Sequence, residues 1–174
     1  HMTQAVVTIG DGAGSGGFRW RCRLGASDGT SLASANAFYG LTSSVAAPTN
    51  VNPGTLTNAI GFGAPTAGNL RVYGGGSAAG NFNIDLGSDF PAAGAGSTNV
   101  YDFELLSDPF TNTVTYFVEK LGTGITATGV IPNSIPSLTL PSSTTFLAHR
   151  AWRSNNTTAL SAGLDVMNFL LEWD

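Results

Sequence analysis

The sequence predicts an all-β protein, an antiparallel β-sandwich or jelly roll of about ten strands. Three observations predict it. Apolar residues recur at every second position in one short run after another, which is the period of a half-buried strand. Clusters rich in Gly, Pro, Asn and Ser, such as APTNVNPG and GGGSAAG, separate those runs at regular intervals. Hydrophobic residues make up 42% of the 174, enough for one ordinary core and too many for a disordered chain.

The runs follow in order. In Gly17–Leu24, Phe18, Trp20, Cys22 and Leu24 share one face and Arg19, Arg21 and Arg23 the other. Ala37–Thr42, Leu56–Phe62 and Asn69–Gly74 are further short candidates. In Asn81–Leu86, Phe82, Ile84 and Leu86 alternate with Asn83 and Asp85. Tyr101, Phe103 and Leu105 alternate with Asp102 and Glu104. Val114–Leu121 is β-branched and aromatic, and Ile125–Ile131 follows it after LGTG, so the two read as a hairpin. Thr145–Arg150 and Gly163–Trp173 complete the set. Leu160, Leu164, Met167 and Leu171 also fit a helical spacing. Gly163 inside that run, with Val166 and Phe169 off the stripe, favours a strand.

The organisation expected is an arm or linker over residues 1–15, containing GDGAGSGG, and a single sandwich domain over residues 16–174. His1-Met2 reads as a remnant of tag removal, and the final run LDVMNFLLEWD reads as a last core element at the end of a longer protein.

Composition narrows the function. Charged residues are only 10% of the chain and Lys120 is the one lysine, so polarity comes from Ser, Thr, Asn and Gly. Such uncharged polar surfaces are common on extracellular and virion proteins. A net charge of −4 without clustered cations argues against nucleic acid. No stretch approaches the roughly 20 apolar residues of a membrane span, so no membrane insertion is expected. Cys22 is the only cysteine and sits in an apolar row, which predicts a buried thiol and no intrachain disulfide.

The ordered set AFYGLTSS, APTNVNPGTLTNAIGFG, LRVYGGGSAAG, IDLGSDFPA, YDFELLSDP, AWRSNNTTA and LDVMNFLLEWD resembles the C-terminal receptor-binding domain of tailed-bacteriophage tail fibre proteins, over roughly Gly17 to Asp174. The resemblance implies a jelly-roll or lectin-like β-sandwich at the distal end of a fibre, in the virion and outside the cell. It implies a homotrimer whose partner is a bacterial surface glycan or outer-membrane receptor. It transfers no binding motif residue by residue. Cys22 in the first strand and AHRAWRS before the Asn pair depart from the commoner pattern and leave the ligand open.

The best binding stretch in the residues themselves is His149 to Asn156, which leaves a strand and enters a polar loop. Sugars are held by an aromatic face against C–H groups, with amide and guanidinium donors on hydroxyls. Trp152, Arg153, Asn155 and Asn156 supply those types within five residues. The bland alternative is a Trp plugging the end of the sandwich beside an ordinary Asn turn. Asn155 and Asn156 also begin glycosylation sequons, which a protein made in bacteria leaves unmodified. Tyr73 before Gly74-Gly75-Gly76 is a second aromatic at an expected loop mouth; those glycines leave room for a ligand or simply make a turn. Tyr39 reads as core or inter-subunit packing. The Arg19, Arg21, Arg23 row repels itself unless something anionic faces it. Cross-strand pairing with Asp102 and Glu104, or with Asp165, is the simpler reading; an anionic glycan is the functional one.

Catalysis is not expected. Asp85 with Asp89 and Asp102 with Glu104 are the available carboxylate pairs, and pairs at such spacings are common on solvated strands. His149, the only histidine beyond residue 1, is followed by Arg150, which disfavours an imidazolium. One usable His, one Cys and scattered acids give no metal site, and GDGAGSGG lacks the Lys-Ser/Thr of a phosphate loop. No cofactor is expected. The alternative to receptor binding is a purely structural role, as a trimerisation knob or virion decoration domain.

Overall fold

A computed structural model describes residues 4–26, 35–46, 50–65, 68–77, 81–92, 99–132, 139–155 and 163–173. Among them are ten strands: β1 (Phe18–Ala26), β2 (Ala37–Thr42), β3 (Ala59–Ala64), β4 (Arg71–Gly75), β5 (Phe82–Asp85), β6 (Val100–Ser107), β7 (Thr113–Lys120), β8 (Ile125–Pro132), β9 (Ala148–Arg153) and β10 (Leu164–Glu172). They form two antiparallel sheets, in the orders β10-β1-β6-β7-β8 and β5-β4-β3-β2-β9. The fold is the β-sandwich that the alternation predicts.

The inward rows fill the space between the sheets. Trp20, Cys22 and Leu24 of β1 and Phe103 and Leu105 of β6 are buried against Tyr39, Leu41, Ile60, Phe62 and Val72 of the second sheet. Phe62 and Phe103 meet across the layers with ring centroids 4.6 Å apart, and Tyr39 approaches Phe103 at 5.9 Å. Aromatic side chains of this size dominate the apolar area removed from water. The β7–β8 hairpin closes through Gly122 and Gly124, both in the left-handed region that glycine tolerates.

Three expectations shift. Residues 1–15 were expected as an arm, yet Val7 and Ile9 are buried in the main core and Val7 bridges Leu147. The strand expected over Leu56–Phe62 begins at Ala59, because Pro53–Thr55 forms a 3-10 turn capped by the Asn52 side chain. The strand expected over Thr145–Arg150 runs instead from Ala148 to Arg153. The Ser142 hydroxyl takes the Thr144 amide, and Thr145 N–H donates to Ser142 O, so this Ser/Thr segment turns before the strand starts.

Buried Arg150 on β9 reaches the residues that follow β2: its Nε donates to Ser44 O at 2.9 Å and its Nη2 donates to Ala46 O. On the outward face of the second sheet, Phe38, Ala59 and Tyr73 form a second apolar cluster, packed by Leu56 and Trp152. Gly61 permits this: a Cβ there would stand 2.8 Å from the Phe38 ring.

Candidate functional site

Trp152 and Arg153 lie on β9, not in the loop after it, opposite Phe38 and Ala37 of β2. Both are half-buried, with Ser154 half-buried and Asn155 exposed beyond them. This corner is a hydrogen-bonded rim. Ser154 N–H donates to Asn36 O, and the Ser154 hydroxyl and the Asn36 amide both donate to Asn50 Oδ1, at 2.5 and 2.9 Å. The rim thus joins an aromatic surface, a guanidinium and several amide and hydroxyl groups on a rigid strand end. Asn156 lies outside the described residues.

Tyr73 does not stand at a loop mouth. It is on β4, 3% exposed, within the Phe38 cluster. The glycines after it do not turn: Gly74 and Gly75 stay in the strand, where the Phe82 ring and the Asn81 side chain occupy the space that their side chains would need. Burial pushes the Tyr73 phenol up to about 12, with the Arg71 charge opposing.

The arginine row is neutralised from its own sheet. Arg19 and Arg21 both reach Glu104, at 2.9 and 3.2 Å. Arg23 grips Asp102 with two bonds of 2.6 Å. The β1–β6 register sets Arg21 opposite Glu104 and Arg23 opposite Asp102. These are the cross-strand pairs expected from the sequence, and they occupy one of the two carboxylate pairs that the sequence offered. Asp165 lies opposite Gly25.

His149 is 9% exposed, and its Nδ1 accepts the Trp20 indole N–H at 3.0 Å. Burial holds its pKa down at about 4, with a backbone hydrogen bond to Gly40 acting the other way. Its ring centroid is 4.2 Å from that of Phe169 on β10. Burial pushes the Cys22 thiol up to about 12, with the Asp102 charge adding to it. The cysteine is buried, as its apolar row predicts.

Sequence reasoning missed the state of β10. Its apolar residues were expected inside, yet Val166, Met167, Phe169, Leu170 and the adjacent Trp173 are between 38% and 56% exposed. Among the described residues, β10 pairs with β1 alone and forms the edge of its sheet. Periodicity marks a strand as apolar; it does not tell a core partner from a partner molecule.

No protein-family model matches the chain. No curated protein sequence matches it either. Among solved structures it is similar to arcelin-5, a lectin-like defense protein from Phaseolus vulgaris. The TM-score is 0.57 at 11% identity, over 96% of this chain and 75% of that one. It is also similar to the enzymatically active domain of tailspike protein 2 from bacteriophage CBA120, with a TM-score of 0.50 at 13% identity. That match covers 95% of this chain and 22% of the tailspike chain, so this chain spans about a fifth of that length. Likeness at such low identity is likeness of fold.

Proposed function

We propose that this chain is a receptor-binding module of a phage tail fibre tip, which attaches a virion to a bacterial surface glycan. The observation that carries the reading is the rim at the end of β9. Half-buried Trp152 offers an aromatic ring on the outward face of β9, Arg153, Ser154 and Asn155 follow it at the strand end, and Asn36 and Asn50 fix Ser154 there. A sugar needs this combination of a flat apolar surface and fixed donors and acceptors. The fold likeness to a lectin-like protein and to part of a phage tailspike supports the same reading.

Binding without catalysis is the chemistry proposed. Asp102 and Glu104 are held by arginines, and His149 is buried with its Nδ1 bonded to Trp20.

The module is proposed to act as a homotrimer. The exposed apolar β10 supports this, since an open hydrophobic edge strand is a surface that proteins otherwise avoid. The same strand favours a second reading, a structural trimerisation knob without receptor contact. A glycan array probed with the labelled domain separates the two. The receptor reading expects a defined set of bacterial saccharides to bind, with Trp152→Ala weakening that binding about tenfold. An array silent for the folded wild-type domain favours the knob.

A further inference from the structure

The end of the sandwich away from the rim carries a cleft of about 440 Å³. The rim follows Arg153, which pairs with Ala37; the cleft adjoins Gly76, just past Gly75, which pairs with Ala59 at the other end of β3. Four separate segments build it. Asp11 comes from the N-terminal loop, Ser77 from the end of β4, Asn112 from the β6–β7 turn, and Thr139, Ser142 and Ser143 from the approach to β9.

The loop at Asp11 is held in place by its own carboxylate. Oδ1 accepts the amides of Ala13 and Ser15 at 2.7 and 3.0 Å. Gly12 and Gly14 donate to Pro109 O, tying the loop to the β6–β7 turn. The Gly10 amide donates to the buried Ser107 hydroxyl at 3.0 Å. Asn112 rests its amide against Gly12. Phe110, in the same turn, is 72% exposed, with its ring beside Gly14. The cleft also has buried apolar lining, from Ile9 and Leu140.

We propose that this cleft is a second saccharide subsite, independent of the β9 rim, and that it takes a neutral sugar. The size lies within the range of small-ligand sites, roughly 300–1,000 Å³. The lining chemistry selects the class. Among the described residues the lining supplies a carboxylate, an amide and four hydroxyls and includes no Lys, Arg or His. Vicinal sugar hydroxyls donate to the carboxylate and exchange hydrogen bonds with amide and hydroxyl groups. An anionic sugar would bring its charge to Asp11 with no cation to answer it. Exposed Phe110, in the same turn as Asn112, offers an aromatic surface for a following residue of the glycan. This site does not depend on the receptor reading of the β9 rim, and the two respond to different substitutions.

The test uses the whole chain on an array of neutral, sialylated and phosphorylated bacterial saccharides, with wild type, Asn112→Ala and Trp152→Ala in parallel. The inference expects neutral saccharides to bind and Asn112→Ala to weaken that binding about tenfold. Trp152→Ala should leave within about twofold the signal of those saccharides that Asn112→Ala weakens, and should weaken only those held at the β9 rim. Because Asn112 is exposed, thermal unfolding of the variant should match wild type. As a check free of mutation, titrating the bound saccharide into labelled wild type should shift the amide resonances of Asp11, Asn112 and Ser142. Resonance shifts confined to Trp152–Asn155, or binding only of anionic saccharides, overturn the cleft and leave the receptor reading standing. Silence of the whole array overturns both.

Discussion

His149 links a single side chain to the behaviour of the fold. Its imidazole sits between the sheets, accepting from Trp20 and packed on Phe169. Burial lowers its pKa from 6.5 to about 4, so the folded state resists a proton that the unfolded chain takes up near 6.5. The sign follows. Between those values the unfolded state binds more protons, so stability is complete above about pH 6.5 and declines as pH falls toward 4. The loss amounts to something on the order of 3 kcal/mol. Urea midpoints at pH 7.5 and 4.5 check this: wild type should lose more stability between them than His149→Gln does, and equal losses would exclude the mechanism. The other informative residues divide by what reaches them. The pairing of Arg19, Arg21 and Arg23 with Asp102 and Glu104 was legible, since two alternating rows on neighbouring strands face each other. Tyr73 was not. Its three following glycines look like a turn, and only the Phe82 ring laid across Gly74 explains why the strand continues.

At the scale of elements, alternation marked strands such as β1, β5 and β6, because a strand with one buried face must repeat every second residue. Strands buried on both faces, such as β2 and β3, were marked by short apolar runs between turn residues. Ends were less legible than centres. The start of β9 moved by three residues because hydroxyl-to-backbone bonds at Ser142 form a turn in a segment whose threonines also suit a strand. That shift carried Trp152 and Arg153 from loop to strand. β10 was identified as a strand, but its burial was misjudged, and its exposure has a consequence. Met167 and Leu170 stand in solvent at 54% and 39%. Replacing both with Asp should leave the isolated sandwich folded, because neither contributes to the buried core. In light scattering at micromolar concentration, the wild-type domain should show three times the chain mass and the double variant one. A wild-type monomer, or a double variant that keeps the wild-type mass, would show that β10 does not join copies.

For the whole molecule, the two sheets act as a rigid spacer with polar sites at its ends. The cleft at Asp11 and Asn112 could not be read along the chain, since its parts are separated by up to about 130 residues and meet only when the two sheets stack. Within the arm expected over residues 1–15, Val7 and Ile9 were misread for a related reason: a glycine-rich segment looks like a linker until they are seen in the core. The central claim is that this sandwich attaches to a bacterial surface through carbohydrate. Its most direct test is flow cytometry of the fluorescent domain on a panel of bacterial strains, each measured before and after its surface polysaccharide is chemically stripped. Saturable labelling of some strains that disappears on stripping, and that free polysaccharide from those strains competes away, is the predicted result. Labelling that survives stripping, or none on any strain, would contradict the claim.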